Sequence, residues 1–188
     1  MSHVITGFTT SFKYHKDLAE RAMAQVSDDH LHHPLHQETN SIAVVVKHVA
    51  GNLLSRWTDF LTTDGEKPWR DRDEEFRDTF ETRTEMLAEW DRGWNALLET
   101  LAQLSDADLK KSVTIRGETL PVPTALARSL AHTAYHVGQI VQIARILAGS
   151  DWKTLTIPRG GSKAHNEKMW GHDQYNRGNS AQAAGHAL

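Results

Sequence analysis

No cysteine occurs anywhere in the 188 residues. That excludes disulfides, thiolate metal ligands and a cysteine nucleophile, and leaves imidazole and carboxylate as the strong ligands on offer. No apolar run approaches the roughly 20 residues that a membrane-spanning helix needs, and the mean hydropathy is -0.53. The N-terminus, Met1-Ser2-His3-Val4-Ile5-Thr6-Gly7, lacks both a cationic head and an apolar stretch before a small-residue cleavage site, so the expectation is a cytoplasmic protein with no membrane partner. Positive charge is not in excess either. The formal net charge is -3 with both signs interspersed, which argues against nucleic acid as a partner. Gly-x-Gly-x-x-Gly, phosphate-loop and Gly-x-Ser-x-Gly motifs are missing as well.

What is abundant is histidine, with twelve copies in a chain whose length suits a single domain. Four amphipathic segments organise that chain. Ile5, Phe8, Phe12, Leu18, Ala22 and Val26 recur at helical steps over 4–26. Asn40 is the expected N-cap of a second helix whose stripe of Ile42, Val45, Val46, Val49, Leu53, Trp57 and Phe60 reaches Leu61. Its Val44-Val45-Val46 run favours strand locally, but sustained 3.6-residue periodicity outweighs local propensity. A third helix over 79–104 carries Met86, Leu87, Trp90, Trp94, Leu97, Leu98 and Leu101, with Gly93 allowing close packing. The fourth runs from Pro123 or Thr124 to Ala148, with Gly149 as C-cap.

Between them, 27–40 reads as a polar loop holding His30, His32, His33 and His36, which are expected to be solvated. The charge-dense stretch 66–78 is too polar for a core element and long enough to cross from one end of a bundle to the other. Val113 to Val122 alternates around Gly117 as a small hairpin, preceded by a helix-start pattern at Ser105 and Asp108. The fold class expected is therefore all-α: a four-helix bundle with a long crossover connection and a small hairpin before the last helix. Residues 1–162 form its domain and 163–188 a polar tail, mobile in part.

His132 and His136 stand four residues apart, so on a helix they share one face and both can reach one metal ion. The metalloprotease helix motif shares this spacing, but its glutamate is replaced by Thr133. An isolated pair of this kind is usually packing. Here both lie beside the apolar stripe of helix four, where neutral imidazoles need partners. His48 sits mid-helix among apolar residues of helix two, and Gly51 allows close helix approach. Three histidines with one open position suit zinc, nickel or ferrous iron at a catalytic or substrate-binding site. Asn52 and Gln139, a turn beyond His48 and His136, are candidates to steady the ligands or touch a substrate. Tyr135 is expected to pack, with its hydroxyl at the rim. No catalytic residue is assigned beyond the ligands.

Three stretches carry a family resemblance: Asn40 to Asn52, Arg56 to Lys67 and Tyr135 to Val141; Trp152 to Gly160 adds a C-terminal signature. On these the chain resembles the DinB superfamily, more closely its branch of uncharacterised DinB-like proteins, over about Val4 to Ser162. The resemblance implies a bundle that binds one divalent metal ion, commonly zinc or nickel, through His48, His132 and His136, and that pairs into a homodimer. It also implies thiol chemistry, since members elsewhere in the superfamily join a low-molecular-weight thiol to an electrophile with the metal holding the thiolate. The physical basis is sound: an open metal site lowers the pKa of a bound thiol or water. The leading expectation is thus a metal-dependent thiol transferase acting on small molecules. A hydrolase using water at the same site, and a non-catalytic stress protein that binds metal or a small molecule, stay open beside it.

Overall fold

A computed structural model of the chain describes residues 3–170. The described residues form two compact units, 3–152 and 153–170. The first is mostly helical: α1 (His3–Met23), a short α2 (Asp28–His32), α3 (Ile42–Trp57), α4 (Arg83–Gln103) and α5 (Val122–Ala148), with one hairpin of β1 (Ser112–Ile115) and β2 (Glu118–Pro121) just before α5. Of the second unit, a nine-residue α6 (Ser162–Trp170) is described. Ala164, Glu167, Lys168 and Met169 are good helix formers, enough for a helix where no apolar stripe predicts one. Residues 171–188 of the expected tail lie outside the described residues.

Packing follows the apolar stripes. On α4, Met86, Trp90, Trp94, Leu97 and Leu101 are all completely buried at three- and four-residue steps. α3 is buried on nearly every side, from Ile42 through Val44, Val45 and Val46 to Trp57. Tertiary burial is what makes helix of a β-branched run that would favour strand alone. Three boundaries of α3 and α4 differ from the sequence expectation. Ser41, not Asn40, caps α3, its hydroxyl accepting from Val44 N–H at 3.2 Å. The helix stops at Trp57 instead of Leu61, and a positive φ of 49° at Asp59 turns the chain away. Thr82 caps α4, so that helix starts at Arg83 and not at Thr79.

Contacts set the helix directions. Gly93 of α4 faces Ala50 of α3, and Thr100 Oγ1 donates to Trp57 O at 2.9 Å. Both helices therefore advance the same way. A Cβ at Gly93 would lie 2.7 Å from Ala50 O and 2.8 Å from its Cα, so only glycine lets the backbones meet so closely. α5 runs against α3, since His132 meets His48 while Trp57 Nε1 donates to Ser129, nearer the start of α5. α1 opposes α4, with Trp90 Nε1 donating to Glu20 and Arg83 reaching the carbonyls of Met23 and Val26. Parallel α3 and α4 require the intervening 58–82 to return the length of a helix, as a crossover does. The hairpin turns through Arg116 (φ 55°) and Gly117 (φ 76°), two left-handed residues in a two-residue loop. Asp64 of the crossover accepts the backbone N–H groups of both, each at 2.8 Å, and so fixes the hairpin tip to the crossover.

The stretch 27–40 is more ordered than a plain loop. Ser27 caps α2, Leu31 is buried, and His32 Nδ1 lies 2.8 Å from Asp78 Oδ2. No helix among the described residues is long and apolar enough to cross a membrane.

Candidate metal centre

His48 is carried by α3, His132 and His136 by successive turns of α5. Because the two helices run antiparallel in contact, the three rings converge, with centroids 5.3 Å (His48 to His132), 4.8 Å (His48 to His136) and 4.5 Å (His132 to His136) apart. One nitrogen from each ring lies within 4.8 Å of the others, and the group can hold a metal ion. The fit can be tested on one distance. Two nitrogens bound tetrahedrally at about 2.1 Å stand about 3.4 Å apart, and Nε2 of His48 is 3.3 Å from Nε2 of His132.

The remaining ring nitrogens are anchored. His48 is 4% exposed, and its Nδ1–H donates to Glu75 Oε2 at 2.9 Å, which leaves Nε2 with its lone pair toward the cluster. His136 Nδ1 pairs with Gln139 Oε1 at 2.7 Å and so likewise leaves Nε2 to the cluster. Charge supports this. Burial first, then repulsion from His136, His48, Arg70 and Arg56, pushes His132 down to about 3. His136 is lowered too, by burial above all, with the Gln139 hydrogen bond opposing and His48 adding to the fall. Neutral imidazole is the form that ligates. Glu75 is held below the usual carboxylate range although burial works to raise it, because hydrogen bonds from His48 and Arg70 and the Arg70 charge prevail. A carboxylate behind a metal-ligating histidine fixes its tautomer and raises its basicity.

The sequence does not single out Glu75, which lies in the charge-dense stretch 66–78 that reads as too polar for a core element, yet is buried. Arg70 Nε donates to Glu75 Oε1 at 2.7 Å and Nη2 to Oε2 at 2.9 Å, so both oxygens are engaged. Phe76 stacks on the His48 ring at 4.9 Å. The signal that was present is Gly51. Instead of admitting a helix it admits this carboxylate, since a Cβ built there would collide with Glu75 Oε1.

A cavity of about 170 Å³ opens beside His48 and His132, with Asn52, Trp57 and Ser129 also in its lining. Asn52, 9% exposed, thus faces that cavity, while Gln139 stands behind His136. Tyr135 does not pack: it is 64% exposed, edge-on to His136. Among the described residues, His30, His32, His33 and His36 all stand outside the three-histidine group, His32 being paired with Asp78 instead; His15 turns to Ser11 O at 2.7 Å, and His172 lies outside the described residues.

A family model described as protein of unknown function (DUF1572) matches residues 2–161, and that family is grouped among the DinB-like proteins. No curated protein and no solved structure matches the chain.

Proposed function

The chain belongs to the DUF1572 family, and on that premise we propose that it is a DinB-like four-helix bundle acting as a metal-dependent transferase, joining a low-molecular-weight thiol to an electrophilic small molecule. One observation carries the reading: three histidines from two helices bring one ring nitrogen each within 4.8 Å of the others, and two of them, His48 and His132, line a cavity. A closed structural site would have no such opening. His48, His132 and His136 would hold a divalent metal there, and its charge would lower the pKa of a thiol enough to supply a sulfur nucleophile near neutral pH. In the reaction the sulfur forms a bond to carbon, the displaced group leaves with the bonding electrons, and the thiol proton passes to water. Glu75 and Gln139 keep the rings in the ligating tautomer. Burial among Trp57, Phe60 and Ile115 on one side of the cavity restricts competing water.

Hydrolysis at this site would rest on a metal-bound water alone, because both oxygens of Glu75 are tied to Arg70 and His48 and leave it no part as a general base. Pairing of two chains into a homodimer and a cytoplasmic location belong to the same proposal, on the strength of the resemblance. The test is elemental analysis of the untagged protein followed by a thiol-conjugation assay. About one equivalent of zinc, nickel or iron, lost in His132→Ala/His136→Ala, together with metal-dependent consumption of thiol and a halogenated or epoxide electrophile, is the expected result. Metal in place with ester turnover that ignores added thiol would replace the proposal with the hydrolase. Metal in place with no turnover would leave a binding protein.

A further inference from the structure

The lining of the cavity beside the histidines contains five arginines, Arg56, Arg70, Arg72, Arg116 and Arg128, and no acidic residue. They come from α3, the crossover, the hairpin tip and α5. Two stand deep, with side chains 13% (Arg56) and 2% (Arg70) exposed; Arg116 and Arg128 stand at the rim, about half exposed. Burying a guanidinium is costly unless it is paired, and the pairing here is incomplete. Glu66 serves Arg56 at 3.1 Å and Arg116 at 2.9 Å, and lies 3.6 Å from Arg70. Glu75 serves Arg70, and Glu118 serves Arg128 at 3.0 Å. Three carboxylates thus stand behind five guanidiniums, all of them outside the lining. Among the described residues the Arg72 guanidinium meets only the face of Phe76, 5.8 Å from its ring centre. Nη1 of Arg70 is buried and makes no hydrogen bond.

From this wall we infer that the cavity takes a small molecule through a carboxylate or phosphate group, bound by Arg72, Arg116 and Arg128 at the mouth and drawn inward by Arg56 and Arg70. Guanidinium forks match planar and tetrahedral oxyanions with paired hydrogen bonds, and a cationic cleft without acids concentrates anions. Size limits the guest. A cavity of about 150 Å³ holds benzene, so the 170 Å³ here accommodates an anionic group with a few carbon atoms, or the anionic end of something larger. Since His48 and His132 line the same cavity, the anion is the handle and the rest of the molecule meets the histidines. The word substrate rests on the transferase reading; anion binding itself does not.

The experiment is titration calorimetry on chelator-treated protein at fixed ionic strength, with malonate and inorganic phosphate as probes and malonamide as the uncharged control. Saturable binding of either anion, with none of malonamide, is expected; preference between them tells carboxylate from phosphate. Arg72→Gln/Arg128→Gln, two exposed positions whose change spares the fold, should weaken that binding by about tenfold or more with metal content unchanged. In His132→Ala/His136→Ala the anion should still bind while metal is lost. No binding of either anion, or equal binding by the arginine variant, overturns the inference and leaves the metal reading standing. Anion binding in a protein that takes no metal would do the reverse.

Discussion

Replacing Glu75 with glutamine changes shape least and charge most, and it separates what this side chain does for the fold from what it does for the histidines. In the native site the carboxylate accepts from His48 Nδ1 at 2.9 Å and from Arg70 at 2.7 and 2.9 Å, with Glu75 6% exposed and the Arg70 side chain 2% exposed. The amide keeps one acceptor and turns a donor toward one of these donors, leaving a buried guanidinium whose nearest remaining carboxylate is Glu66 at 3.6 Å. Breaking a buried pair from one side costs about 3–5 kcal/mol. At roughly 2–4 °C per kcal/mol for a chain of this size, the melting temperature should fall by about 6–20 °C. Losing the carboxylate behind a ligating histidine should weaken metal binding by about 10- to 100-fold, read by competition with a chromophoric chelator. The double variant Glu75→Gln/Arg70→Met removes the stranded charge and should regain much of the melting temperature without regaining metal affinity. Unchanged metal affinity in Glu75→Gln would refute the orienting role of this residue. A double variant as unstable as the single would show that packing, not charge, sets the cost.

Gly51→Ala should gain about 1 kcal/mol in helix propensity yet push the Glu75 carboxylate off His48 and lower metal affinity; tight metal binding in this variant would contradict the contact. Gly93→Ala drives a methyl into the Ala50 backbone and should cost about 1–3 kcal/mol by urea denaturation, with a neutral result meaning that α3 and α4 can move apart freely. In chelator-treated protein the unfolded chain takes up protons near 6.5 that folded His132, pushed down to about 3, and folded His136, also lowered, refuse. Stability should therefore be intact above 6.5 and fall as the pH drops from there toward 3. Glu75, lowered from 4.5, adds a second loss in the same direction once the pH passes below that value. A urea midpoint that stays level below pH 6.5 would refute this.

Much of the architecture was legible because it is periodic. Trp90, Trp94, Leu97 and Leu101 announce the buried face of α4, and the spacing of His132 and His136 announces a shared face on α5. Ser41 in place of Asn40 as N-cap is a one-residue ambiguity between two good capping side chains. The rest was hidden because it has no period. Glu75 and Arg70 sit in a segment whose composition reads as surface, and His48 meets Glu75 across 27 residues of sequence through a pairing that no local pattern encodes. The five cavity arginines come from four segments, only Arg70 and Arg72 being neighbours, so no window of sequence collects them.

The parallel course of α3 and α4 obliges the chain to travel back about 24 Å, the length of the 16-residue α3. Many sequences could make that journey without disturbing a helix. The residue that stands behind His48 is therefore a property of the connection and not of the helices that carry the three histidines. Chains alike in every helix could differ in how firmly their metal is held and in what charge greets a substrate, simply by rewriting the return path.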